Sequence, residues 1–315
     1  MGANISAVGD GFSRQRALKN AISCTGTGLH SGARVSIVLH PAPSDTGVRF
    51  RRADVGDECP EIVADYRHVV DTCLGTTLGN DAGVTVATVE HLMAALSGCG
   101  IDNVLVEVDG PEVPIMDGSA WPFVFLVECA GTIEQNARRS AIEILKPVAV
   151  EEDGCHASLA PGGGFSLDFE IDFDSPFIGH QNMFVRMVNG TFQSEISRAR
   201  TFGFLEEVEK LHKMGFARGG SLENAVVLNG DRIMNEEGLR YEDEFVRHKI
   251  LDSIGDLYLA GRPIIGHFHG VRSGHALNHS LLEALFADET AWCLATLPAD
   301  YAGELDTPAA AVASA

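Results

Sequence analysis

Phe245-Val246-Arg247-His248-Lys249-Ile250-Leu251-Asp252-Ser253-Ile254-Gly255-Asp256 is the stretch on which the reading of the chain turns. It predicts one helix, with His248, Asp252 and Asp256 spaced i, i+4, i+8 so that three polar groups stack on one face. Ile250, Leu251, Ile254 and Leu257 give that helix an apolar surface to pack. A His and an Asp one turn apart stand about 5–6 Å from each other at Cβ, and imidazole plus carboxylate suits zinc. A solvated His–Asp pair on a surface helix is the plainer reading of the same spacing.

A second segment, Thr88-Val89-Glu90-His91-Leu92-Met93-Ala94-Ala95-Leu96-Ser97-Gly98, carries the marks of a helix start and stop. Thr88 is the expected N-cap and Gly98 the expected residue just past the end. Glu90 and His91 lie about 100° apart in the first turn, where the helix dipole favours a carboxylate. Side by side they can reach one point, one as ligand and the other as acid/base. A first-turn acid placed for the dipole alone is the alternative for Glu90.

Further segments follow in order. They are Gly26-Thr27-Gly28-Leu29-His30-Ser31-Gly32, Pro111-Glu112-Val113-Pro114-Ile115-Met116-Asp117-Gly118-Ser119, Ser197-Arg198-Ala199-Arg200-Thr201-Phe202-Gly203, the run Arg240-Tyr241-Glu242-Asp243-Glu244 leading into the first helix, and Ser273-Gly274-His275-Ala276-Leu277-Asn278. Together, over residues 17–292, they resemble the UDP-3-O-acyl-N-acetylglucosamine deacetylases of Gram-negative lipid A synthesis. The resemblance implies a zinc amidohydrolase that removes the N-acetyl group of UDP-3-O-(3-hydroxyacyl)-N-acetylglucosamine and releases acetate. It implies His91, His248 and Asp252 as metal ligands; iron(II) accepts the same set. Glu90 would be the general base, and His275 the charged group that stabilises the oxyanion or protonates the leaving amine. Asp256 would orient His275, and Thr201 would donate to the reacting carbonyl. Lys249 follows a ligand and points about 100° away from it, free to hold a phosphate or polar group of the substrate. Lys146, Phe202 and His30 match family positions near the substrate. A histidine satisfied by backbone in a turn is an equal reading of His30.

Other chemistry is thinly represented. HExxH and GxSxG are absent, and Pro161-Gly162-Gly163-Gly164 lacks the Lys-Ser/Thr of a phosphate loop. His267, His269 and His279 read as structural or surface groups. Cys73 matches a family cysteine near the metal, and a buried inert thiol is the commoner outcome. A nucleotide-sugar or lipid-binding protein without catalysis, and a zinc hydrolase of another acylated substrate, are the competing functions. Retention of Glu90 and His275 beside the ligands speaks against the first.

A net charge of −21 argues against non-specific nucleic-acid binding, which needs a basic face, and it repels an anionic nucleotide sugar at long range, so local cations must recruit it. The seven Cys, an odd number without C-x-x-C pairs, fit a reducing cytoplasm. Neither an 18-residue apolar run nor a secretory signal is found; peripheral contact with a membrane stays compatible with the sequence. Oligomeric state is not readable from it.

The expected fold is α+β: two domains of similar two-layer sheet-and-helix topology with the active site between them. Residues 1–13 read as a tail, 14–135 as the first domain with the Glu90-His91 helix, and 141–298 as the second with the His248/Asp252 helix. An insert near 204–227, without counterpart in the first half, would form the acyl passage that the resemblance implies; 299–315 is a second tail. A hairpin turns at residues 28–32, strands cover 101–108, 141–145 and 165–173, a helix covers Trp121–Ala130, and 136–140 is the linker.

Overall fold

The computed structural model describes residues 11–56, 60–230, 232–299 and 301. Most of both expected tails, 1–10, 300 and 302–315, lies outside them. The chain is α+β, and the two halves repeat one topology. In the first, the hairpin Ile22–Thr27 and Arg34–Pro41 is followed by Val48–Arg52 and Ile62–Val63. A three-stranded sheet (Val69–Asp71, Thr77–Gly79, Thr85–Val86) then leads into helix α1, Glu90–Gly98. Strand Val104–Val108 re-enters the sheet antiparallel to Arg34–Pro41 and parallel to Val48–Arg52. Helix α2, Trp121–Ala130, covers it with the bounds the sequence predicts.

The second half does the same. Val148–Glu152 and Cys155–Ala160 form the hairpin, and Phe165–Asp172 and His180–Arg186 follow. A three-stranded sheet (Phe202–Phe204, Val226–Asn229, Arg232–Ile233) encloses helix α3, Leu205–Met214, and precedes helix α4, Glu244–Leu257. Strand Ile264–Val271 enters antiparallel to Cys155–Ala160 and parallel to Phe165–Asp172. Helix α5, His275–Ala287, closes the layer. Alternation makes the inner faces: Leu167, Phe169 and Ile171 are buried in Phe165–Asp172, and Val48 and Phe50 in its counterpart Val48–Arg52. One continuous apolar core runs through both halves.

Three expectations change. Residues 136–140 are not a loop: Thr132–Arg138 pairs with Arg14–Leu18, and Ser140–Ile144 pairs with Trp292–Thr296 and Ile264–Val271. The short polar run is β because long-range partners satisfy its backbone. Each half has a three-stranded sheet before its helix, but the first is antiparallel throughout, whereas in the second Phe202–Phe204 runs parallel to Val226–Asn229 and most of 204–227, with α3, is the crossover between them. Thr88 does not cap α1. The N-cap is Val89, without a side-chain bond, and Thr88 is left-handed at φ 57° with its hydroxyl on Glu112 Oε1. Gly98 is the last helical residue, and the left-handed glycine is Gly100.

Candidate active site

Helices α1 and α4 pack against each other, closely enough that a Cβ on Gly255 would collide with the Glu90 carbonyl. That contact brings the start of α1 to the C-terminal half of α4. His91, His248 and Asp252 are all buried, and their ligand atoms lie within 4.8 Å of one another. His91 Nε2 and His248 Nε2 face Asp252 Oδ1 at 3.5 and 3.3 Å. His248 Nδ1 donates to the Ala199 carbonyl at 3.0 Å, leaving Nε2 as a lone-pair donor toward the centre.

The electrostatics suit a cation. Asp252 Oδ1 is buried without a hydrogen-bond partner, a costly state for a carboxylate oxygen unless something positive completes it. Burial pushes the His248 pKa down to about 4, so the ring stays neutral. Burial opposes ionisation of Asp252, but His248 and Lys249 overcome it and hold the carboxyl well below its usual range. A neutral His248 and an ionised Asp252 are in the protonation states that ligands need, and the His-His-Asp set fits zinc.

Glu90 and His275 flank this centre. Glu90 is buried, and burial lifts its pKa, while His275 and His91 pull it back. Its Oε2 accepts the Thr76 N–H at 2.9 Å. His275 opens α5, where the helix dipole disfavours a cation. Burial also lowers its pKa, but the Asp256 carboxylate, with Oδ2 2.8 Å from Nδ1, raises it on balance to about 9. Asp256 is held in turn by Thr76 Oγ1 at 2.6 Å and Asn278 Nδ2 at 2.9 Å. Thr76 therefore bridges Glu90 and the Asp256–His275 pair. It lies in a strandless turn of the first half and carries no motif, so sequence reasoning missed it; Asn278 had a signal, as the last residue of the Ser273–Asn278 run.

Phe202 stacks edge-on against His248 at 6.2 Å and Phe245 at 4.9 Å. Thr201 follows Ala199 and Arg200 on the same wall, with its N–H on the Gly118 carbonyl. Fully buried Arg200 fixes that wall through Glu244, at 2.9 Å from Nε to Oε1. His30 stands in the hairpin turn, its Nε2 3.2 Å from the Leu74 carbonyl and its ring 6.1 Å from Phe216.

Two expected substrate cations are placed differently. Lys249 is not free: its Nζ donates to Asp252 Oδ2 at 2.9 Å. The i, i+3 neighbour on its own helix captures it. Lys146 pairs with Asp288 at 2.6 Å, beyond the far end of α5. That helix of 13 residues spans about 20 Å, so Lys146 is remote from His275. For Lys249→Met we expect the ion to be held about 10- to 100-fold more weakly, the usual cost of losing a group that orients a ligand. Chelator competition measures it, and wild-type affinity with a raised KM would return Lys249 to substrate binding.

The fold and this cluster together define an α+β protein with a buried His-His-Asp pocket flanked by a carboxylate and a carboxylate-paired imidazole. A family model described as UDP-3-O-acyl N-acetylglycosamine deacetylase (LpxC) matches residues 15–287. The UDP-3-O-acyl-N-acetylglucosamine deacetylase of Acidithiobacillus ferrooxidans is 56% identical over 281 residues, 89% of this chain and 92% of that protein. Those of Chromohalobacter salexigens and Vibrio parahaemolyticus are 53% and 52% identical, over 91% and 89% of this chain and 95% and 92% of theirs. The chain belongs to the UDP-3-O-acyl-N-acetylglycosamine deacetylase family.

Proposed function

We propose that this protein hydrolyses the N-acetyl amide of UDP-3-O-(3-hydroxyacyl)-N-acetylglucosamine, releasing acetate, as a step of lipid A synthesis, with a divalent ion held by His91, His248 and Asp252. One observation carries the reading beyond family membership: an unpartnered, buried Asp252 oxygen faced by two imidazole nitrogens, with Glu90 and His275 beside it. Zinc is the ion the donors favour, and iron(II) fits the same set.

When bound, the ion supplies a Lewis acid that polarises the amide carbonyl and makes water acidic enough to attack near neutral pH. Glu90 takes the proton of the attacking water; its burial makes it a stronger base than an exposed carboxylate. His275, cationic up to about pH 9, stands as donor to the oxyanion and the departing amine. Asp256, Thr76 and Asn278 hold its ring in place. Thr201 offers a hydroxyl from the opposite wall. Arg200 and Phe202 keep that wall against His248. The acylated UDP-sugar lies over the pocket with its acyl chain toward α3 and the 204–227 region. No helix of the described residues is long and apolar enough to cross a membrane. Among the described residues six cysteines are free thiols, in keeping with a reducing compartment, and we assign the reaction to the cytoplasm.

Acetate release from the synthetic substrate, measured alongside metal content, tests this. About one ion per chain and loss of turnover with a chelator are expected. Substrate binding without acetate release would make the protein a binding module instead.

A further inference from the structure

Helix α1 starts without a side-chain cap, directly after a β-branched residue in a conformation such residues avoid: Thr88 at φ 57°. The neighbours that hold it there converge on Glu112. The Thr88 hydroxyl donates to Glu112 Oε1 at 3.2 Å. On its other side, Ala87 is pinned to the residues flanking Glu112, with its N–H on the Pro111 carbonyl at 2.9 Å and its carbonyl accepting the Val113 N–H at 3.0 Å. The Glu112 carboxylate, 2% exposed, also accepts the backbone N–H groups of His30 and Ser31 at 2.8 and 3.0 Å. Among the described residues no Lys or Arg pairs with it; backbone and hydroxyl donors satisfy it.

We infer that Glu112 is a positioning residue for the reaction: it holds Thr88 left-handed, and that kink aims Glu90 and His91 at the cluster. The geometry is specific. Thr88 is followed by Val89 and then by the two functional side chains, so a change of φ at Thr88 rotates the whole first turn of α1 relative to α4. Glu112 touches neither the ion nor the substrate. It acts through the backbone it fixes, and it ties that backbone to the 28–32 hairpin turn. The inference rests on the reading of Glu90 and His91 as base and ligand.

A pair of substitutions separates this role from a merely structural one. Thr88→Val and Thr88→Gly both delete the hydroxyl bond to Glu112. Valine keeps the strain with nothing to hold it, whereas glycine takes φ > 0 freely. In the full-length, metal-loaded chain we expect Thr88→Val to lose about 10- to 100-fold in kcat, as small misplacements of reacting groups do, and to weaken metal retention in chelator competition. Thr88→Gly should retain clearly more of both. In Glu112→Gln, the amide NH2 replaces one of the two acceptor oxygens and meets the N–H donor of either His30 or Ser31, and both readouts should fall; adding Thr88→Gly should recover part of each. Equal behaviour of Thr88→Val and Thr88→Gly, or no recovery in the double variant, overturns the inference. Should Glu112→Gln fail to fold, the two Thr88 variants decide alone. A wild-type chain that holds no ion would sink the active-site reading itself, and the inference with it. A tightly loaded wild type with indistinguishable Thr88 variants sinks only the inference.

Discussion

His91→Ala is expected to empty the pocket of its ion and abolish turnover. Catalytic zinc sites keep three protein ligands, and the proposed set draws its third from the other half of the chain. Without the His91 ring, His248 and Asp252 stay one turn apart on α4, too few to close the site. The loss of affinity should exceed the roughly 100-fold that follows removal of a group that only supports a ligand. Metal analysis after dialysis reads it directly. Asp252→Asn should behave alike, because an amide brings no charge to the unpartnered position of Asp252 Oδ1. Full occupancy in either variant would remove these residues as ligands.

The second large effect belongs to the proton-transfer groups. Glu90→Gln and His275→Ala should each keep the ion, since neither side chain belongs to the proposed ligand set, and lower kcat by about 10²–10⁴-fold. The pH profile fixes the roles. Glu90 must be ionised, and burial raises its pKa, so the acid limb should lie above the range of an exposed carboxylate. Coupling with the ion makes that limb a property of the site as a whole. His275 must be protonated; its pKa of about 9 sets the alkaline limb, with activity present below and lost as pH rises through it. Asp256→Asn removes the charge that raises it. The limb should then move toward lower pH, in the direction of the ordinary value of about 6.5. An alkaline limb that stays put in both Asp256→Asn and His275→Ala would assign the proton donor elsewhere, with Glu90 as the first alternative.

Local pattern made much of this site legible. The i, i+4, i+8 spacing in α4 and the adjacent Glu90-His91 pair are properties of short segments, and helical geometry turns them into directions in space. The hairpin at 28–32 and helix α2 were readable for the same reason. What stayed hidden depends on contacts made across the chain. Thr76 reaches Asp256 over a separation of 180 residues, and no nearby residue announces it. Thr88 looked like a cap because its type suits one; a buried carboxylate 24 residues away holds it in another conformation. The 136–140 run looked like a linker because its polarity was visible and its strand partners were not. Lys249 was legible in principle: it stands i, i+3 from Asp252 on one helix, but its angle of about 100° from His248 points to solvent as readily as to that carboxylate.

The doubled topology has a consequence for biosynthesis. Each half supplies an incomplete set of donors: the first contributes His91, the second His248 and Asp252. A ribosome adding about 5–20 residues per second therefore exposes the first donor roughly ten to thirty seconds before the second. Throughout that interval the nascent first half has only a single coordinating side chain and cannot capture an ion with any tenacity. On the proposed ligand set, metal acquisition would be deferred until α4 has emerged and docked on α1, and an ion that binds only the finished arrangement would stabilise it by mass action. Loading would then double as a checkpoint: a truncated or misdocked chain would stay apo, inactive and easier to unfold, while the completed one would be locked across its own seam.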